Sequence, residues 1–443
     1  MEKIKSRKKL LLYGCSGFGV NMLTIIMGSY LCSALLVGGF EEHIESWTYL
    51  NKDLVVAALW GIFVFVAKVL DGIIDLPFAA IADKIKCKFG RRKTALLIGY
   101  IPMVISYLLF LVPIDNGATI LNTIWFGFLL CIFYAFYTLT MLTYYATFSE
   151  VCEDQHAMVF LSNTKSIMDV VYYSLGFALL PMFVSFGINI RIIALIFLPL
   201  SLSMAIPMFL LKEKPNDATS NVKPLTLITS LKCSFKNKAY IYWLCVAAML
   251  TIGLQLFLGG INEVFSTTGL NMTFVMASSF APVPLTLILY NKVIKKYGLA
   301  TAFRYSLIVF SLGMIVMYIC CKTHQNFDEL TLTMIAILGG IFVSFALGSF
   351  FSITYTVPTY LARRELETKG TDVASMYFAV QGLFEGVAAG IATGLILVTL
   401  KDQKAIELLP IIVCIASMIA FVMSFFLPKV VSLMGKKNKE GKN

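Results

Sequence analysis

Three ionisable residues stand together in an otherwise apolar stretch: Lys68, Asp71 and Asp75, spaced i, i+3, i+7. In a helix that spacing puts all three on one face. A charged side chain at the centre of a bilayer costs about 3 kcal/mol on insertion scales, so such residues face a cavity or a partner. Two carboxylates one turn apart in a dry site repel, and the repulsion is relieved when one takes a proton or the pair holds a cation. Na⁺ would be held through oxygens, H⁺ by one carboxylate, and Lys68 is placed to neutralise one acid. The other reading of the same groups is a structural ion-pair network that locks this helix to its neighbours.

Further charges lie deeper in the chain. Lys165 and Asp169, at i, i+4, are expected to pair within one helix, with Lys165 also able to face a central cavity. Glu385 follows Gln381 on one face of a Gly-rich helix. Its carboxylate suits a cationic or hydroxylated solute, or a pairing with Lys165 or Lys68. Another stretch is rich in phenols and hydroxyls: Tyr134, Tyr137, Thr138, Thr140, Thr143, Tyr144 and Tyr145. Tyr137, Met141 and Tyr145 share a face, with Thr138 beside them. Stacked phenols with a hydroxyl suit a polyol or ring-shaped solute; the alternative is packing against neighbouring helices. Histidines are few (His43, His156, His324) and lie in or beside loops. No nucleophile–base arrangement or nucleotide loop is visible, which argues against an enzyme and against any cofactor. The 10 cysteines are scattered with no C-x-x-C and read as small hydrophobes. No metal site is readable beyond a carried Na⁺.

The elements that must position these groups follow from composition. Of 443 residues, 58% are hydrophobic and 14% charged, against about 45–50% and 25% in soluble proteins. Too little polar surface remains to cover a water-facing globule, which excludes a soluble enzyme, a nucleic-acid binder and a disordered chain. A membrane-spanning helix needs about 20 apolar residues. Such blocks fall at 11–38, 54–82, 94–113, 121–149, 158–186 and 189–211, then at 239–261, 273–291, 300–321, 330–361, 373–399 and 405–428. The expected organisation is an all-α membrane protein: an N-terminal six-helix half (1–211), a basic cytoplasmic linker with a short helix (212–238), and a C-terminal six-helix half with a basic tail (239–443). The first apolar run follows Lys3 to Lys9 and resembles a secretory signal, but it continues to about Val37 with no convincing cleavage site, so it reads as a retained span.

Most of the 36 Lys and Arg fall in segments that share one side if both termini are cytoplasmic, and the opposite loops hold only Lys52, Arg191, Lys322, Lys401 and Lys404. The positive-inside rule then sets the orientation and explains the net charge of +11. Basic tails are expected to lie on anionic lipid headgroups. Prolines inside spans, such as Pro77, Pro102, Pro181 and Pro358, read as packing kinks.

Twelve spans in two halves joined by a basic linker resemble the layout of major facilitator transporters. The stretch Lys68-x-x-Asp71-x-x-x-Asp75-x-Pro77, continuing to Asp83 and the Gly90-Arg91-Arg92 turn, resembles the span-2 signature of the glycoside–pentoside–hexuronide:cation symporters. Tyr13-Gly14-x-x-Gly17, Tyr137-Thr138, Leu161-x-x-x-Lys165 and Glu365-x-x-Thr368-Lys369-Gly370-x-Asp372 extend the likeness over most of the chain. The resemblance implies cation-coupled uptake of a sugar or glycoside by alternating access, with Asp71, Asp75 and Thr138 holding the coupling ion. It implies Tyr137, Tyr145, Lys165 and Glu385 on the solute. By spacing, Lys68 is the charge partner of the acidic pair, and the loop with Asp83, Gly90, Arg91 and Arg92 reads as a cytoplasmic gate or, equally, as an orientation anchor. The resemblance further implies a monomer in the plasma (inner) membrane, whose partners are a small solute and lipid.

Several positions depart from that pattern. Ile74 and Met141 stand where polar ligands are common, Gly19 where a span-1 aspartate binds sugar, Lys165 where an arginine does, and Glu385 where a lysine is usual. Loss of two oxygen ligands weakens a Na⁺ cage, which favours H⁺. The missing aspartate and the reversed charge at Glu385 argue against an α-galactoside. A carrier of a lysolipid or other amphiphile, or an exporter, uses the same fold; a non-transporting membrane sensor would not need the acidic pair.

Overall fold

The computed structural model describes residues 3–41, 43–84, 90–153, 155–213, 235, 237–268, 270, 272–369, 374–427 and 429–432. The expected linker helix, the Lys84–Lys88 basic stretch beyond its first residue, Gly370 to Asp372 and the end of the C-terminal tail lie outside the described residues.

Apolar runs with no water to satisfy their backbone close their hydrogen bonds within the run, and the described chain is helical accordingly. Among the described residues, twelve helices are long and apolar enough to cross a membrane. They are α1 (Arg7–Leu35), α2 (Ala57–Lys84), α3 (Arg91–Phe110), α4 (Ile120–Val151), α5 (Gln155–Ser185) and α6 (Ile190–Leu210), then α7 (Lys238–Ser266), α8 (Thr273–Tyr297), α9 (Leu299–Thr323), α10 (Glu329–Lys369), α11 (Ala374–Asp402) and α12 (Ile406–Ser424). A π-helical turn interrupts α1 at Ile26–Leu31 and another interrupts α11 at Ile391–Leu397.

Side chains start several of these helices. Thr119 accepts the Asn122 N–H at α4, Asn189 accepts the Arg191 N–H at α6, and Asn237 accepts the Ala239 and Tyr240 N–H groups at α7. Each satisfies donors that the first turn leaves unpaired.

The chain forms two compact units, Met1–Lys223 and Pro224–Asn443. In the first, α1 packs on α5 and α6, while α4 packs on α2 and α3. In the second, α7 packs on α11 and α12, while α10 packs on α8 and α9. The pairing repeats with every number raised by six, which is the signature of an internal repeat. On α3 the outward residues Ile98, Ile101, Ile105 and Leu108 are exposed and apolar, a stripe suited to lipid.

Two positions correct the sequence reading. The span-11 block was expected to end at 399 with Lys401 in an outer loop. The helix instead continues to Asp402, and Lys401 is buried against Glu263 of α7 at 3.0 Å. Gly19, expected at a solute position, packs against α6: a Cβ there would sit 1.8 Å from the Leu200 carbonyl oxygen, so no side chain fits.

Candidate functional site

On α2 and α4, the groups that the sequence singled out come together. Asp71 Oδ1 accepts the Thr138 hydroxyl at 2.5 Å. Thr138 is buried and Asp71 half-buried. The bond ties the middle of α2 to the middle of α4, and it leaves the Thr138 oxygen lone pairs and Asp71 Oδ2 as further oxygen donors. Lys68, one turn before Asp71, sends its ammonium elsewhere: it donates to the Tyr134 hydroxyl at 2.8 Å and lies 4.1 Å from that ring's centroid. No ion pair within 4.0 Å joins Lys68 to Asp71. The lysine is thus held one turn from the carboxylate as a nearby charge, and Asp71 Oδ2 has no hydrogen-bond partner among the described residues. The helix backbone carries Asp75 and Asp83, but their side chains, and that of Arg91, lie outside the described residues.

The aromatic face of α4 splits. Tyr137 donates to Asn21 Oδ1 of α1 at 3.0 Å and stacks on Phe133. Met141 is buried. Tyr145 is exposed, with the Lys165 ammonium 5.1 Å from its ring centroid. The remaining phenol, Tyr144, is structural: it donates to the Tyr13 carbonyl and stacks on the Tyr13 ring. Lys165 and Asp169 form the expected intrahelical ion pair, their side chains 24% and 26% exposed.

Asn21 was missed by the sequence reading, which noted only that Gly19 stands where a span-1 aspartate binds sugar. Periodicity alone carries a signal for it: Gly17 and Asn21 share a face of α1, and the Gly17 position abuts Met141 and Tyr144 of α4.

In the second unit, Glu385 sits on α11 with a defined partner. Gln381, one turn earlier, donates one N–H to Glu385 Oε1 and the other to the Thr354 carbonyl of α10, both at 2.8 Å. Its carbonyl oxygen accepts the indole N–H of the fully buried Trp243 on α7, also at 2.8 Å. Three helices therefore fix this amide and, through it, the carboxylate.

At the start of α3, Gly90 takes φ 100°, a conformation open to glycine. The Glu213 carboxylate accepts the Arg92 and Lys93 N–H groups at 3.0 and 2.9 Å. The Gly90-Arg91-Arg92 turn is thus seated on an acid following α6, a negative charge at a helix N-terminus. The sequence reading did not find Glu213, because nothing local pairs positions so far apart.

The fold is that of the major facilitator transporters. A structure of the nucleoside transporter NupG has a TM-score of 0.65 at 14% identity, covering 96% of this chain and 100% of that one. A POT family transporter in complex with 5-aminolevulinic acid scores 0.64 at 15% identity, over 96% of each chain. A bacterial homologue of the human lysosomal transporter Spinster scores 0.60 at 12% identity, over 98% and 100%. At these identities the likeness is one of fold. The sequence profile of the family described as MFS/sugar transport protein matches residues 12–402, and the chain belongs to that family. It is an integral membrane transporter and not an enzyme. No curated protein sequence is significantly similar to it.

Proposed function

We propose that this protein is a secondary active symporter that couples entry of a sugar or glycoside to H⁺ or Na⁺ by alternating access. Both termini face the cytoplasm, and the protein resides in the plasma (inner) membrane as a monomer. Asp71, Asp75 and Thr138 take the coupling ion; Tyr137, Tyr145, Lys165 and Glu385 face the solute, with Asn21 added to that set; Asp83, Gly90, Arg91 and Arg92 serve the cytoplasmic gate.

The observation that carries the proposal is the Thr138–Asp71 bond beside the Lys68–Tyr134 pair. A membrane carboxylate with one oxygen oriented by a hydroxyl and the other free is prepared for a cation. A proton needs one such oxygen, whereas Na⁺ needs several to replace its hydration shell. Met141 is apolar and buried where a further oxygen donor would help a Na⁺ cage, so H⁺ is the favoured ion. Coupling follows from charge. With Asp71 and Asp75 bare, the carrier holds an uncompensated negative charge that penalises switching. Loading the ion removes the penalty.

The test is uptake of labelled glycosides into sealed liposomes under a Na⁺ gradient, a pH gradient or neither, with Asp75→Asn alongside. Accumulation driven by one gradient and lost in the variant supports symport and names the ion. If no gradient drives any sugar and the variant behaves as wild type, the reading fails and amphiphiles become the cargo to test.

A further inference from the structure

Glu385 differs from the other membrane acids. Asp169 has Lys165 in its own helix, Glu263 has Lys401 at 3.0 Å, and Asp71 has Lys68 one turn away. Among the described residues no Lys, Arg or His lies within 4.0 Å of Glu385. Its one partner there is the neutral Gln381.

That partner is saturated. A glutamine amide has two N–H donors, and Gln381 commits one to Thr354 and one to Glu385 Oε1, while its oxygen takes the Trp243 N–H. It has no second donor to offer, so Glu385 Oε2 has no partner among the described residues. A dipole orients a carboxylate without cancelling its charge. The clamp between α7, α10 and α11 therefore holds a half-buried acidic group in one direction, with no counter-charge for it among the described residues.

We propose that Glu385 is the acceptor for a protonated amine on the transported solute, so that the preferred cargo is a small hydroxylated compound bearing an ammonium group, such as an amino sugar. This rests on the reading of the protein as a solute carrier. Neutral hydroxyls also donate to a carboxylate, but an ammonium donor adds charge to the bond. A hydroxyl on a carboxylate is already charge-assisted through its acceptor; the second charge of an ammonium is expected to add about tenfold in affinity, which is about 1.4 kcal/mol. Gln381 acts as the positioning residue for this carboxylate.

The test is calorimetric binding of glucosamine and galactosamine against glucose and galactose to the purified protein near pH 6.5, with wild type and Glu385→Gln. The amide is isosteric and still accepts the Gln381 N–H, so the fold is expected to hold; Glu385→Asp, which retains the charge, is the second variant. The expected result is at least one amine bound about tenfold or more tightly than its neutral counterpart by wild type. Glu385→Gln should lose that preference, and Glu385→Asp should keep part of it. Equal binding of amines and neutral sugars by wild type, or a preference that survives Glu385→Gln, overturns the proposal.

Liposome uptake separates this from the carrier reading. Gradient-driven uptake of neutral sugars with no amine preference removes the inference and leaves the carrier. Glu385-dependent amine binding with no driven uptake does the reverse.

Discussion

Helices α5 and α11 hold the same place in their respective units: α5 packs on α1 as α11 packs on α7. Each carries a carboxylate four residues after a long polar side chain, Lys165–Asp169 on one and Gln381–Glu385 on the other. The difference is an ammonium against an amide. On α5 the negative charge is closed within a single helix turn. On α11 the amide is spent on a backbone carbonyl and an indole, and the carboxyl has no cation within 4.0 Å among the described residues. One residue four positions back thus decides whether a membrane acid is a structural pair or a receptor for something brought in.

That contrast can be pressed by substitution. The largest effect is expected where a pair is fully buried. Lys401→Met strands Glu263, whose second oxygen already lacks a partner, and should cost about 3–5 kcal/mol of stability, read as a fall in the melting temperature of detergent-purified protein. Adding Glu263→Gln should recover much of that loss. Next is Lys165→Gln, which makes α5 resemble α11. Because that pair is a quarter exposed, about 1–3 kcal/mol is expected. A loss as large as that of Lys401→Met would mean that burial does not set the scale.

The converse change, Gln381→Lys, gives Glu385 an ammonium of its own. It should reduce discrimination between amine-bearing and neutral sugars about tenfold, the low end of a charge-assisted bond, with binding of neutral sugars less affected. The smallest effect is expected at Asp328, which precedes α10 and accepts both the Thr331 hydroxyl and N–H. Those bonds hold its carboxyl below the usual range. The unfolded-state pKa is then the higher one, so the contribution is present above about pH 4 and fades as pH falls through the lower folded value. Asp328→Ala should lower the melting temperature slightly at pH 7, with the loss shrinking as the pH falls below about 4.

Much of this was legible in the sequence, and the remainder failed for a common reason. Hydropathy gives helices that cross a membrane because an unbroken apolar run has one way to satisfy its backbone there. Spacing gives contacts within a helix, so Lys165–Asp169 and Gln381–Glu385 were readable as one-face pairs. What periodicity lacks is the identity of the helix across the way. Lys401 and Glu263 lie on different helices far apart in the chain, and each taken alone reads as a loop charge or a span-end charge. Glu213 meets the Gly90 turn across a similar gap. Gly19 and Asn21 differ by two positions on α1, but only the packing against Leu200 shows that position 19 faces a backbone while position 21 faces Tyr137. Lys68 was placed as a charge partner by its spacing from Asp71, yet a phenol on α4 competes for its ammonium.

The division of labour we propose, Asp71 for the ion and Glu385 for the solute, separates two activities. Solute exchange and gradient-driven accumulation, measured in the same liposomes for Asp71→Asn and Glu385→Gln with the best-bound amino sugar as label, test it most directly. Exchange needs solute binding but no driving ion, whereas accumulation needs both. Asp71→Asn should keep exchange and lose accumulation, while Glu385→Gln should lose both by about tenfold or more. Equal loss of both activities in both variants, or accumulation that survives Asp71→Asn, would contradict the proposed division.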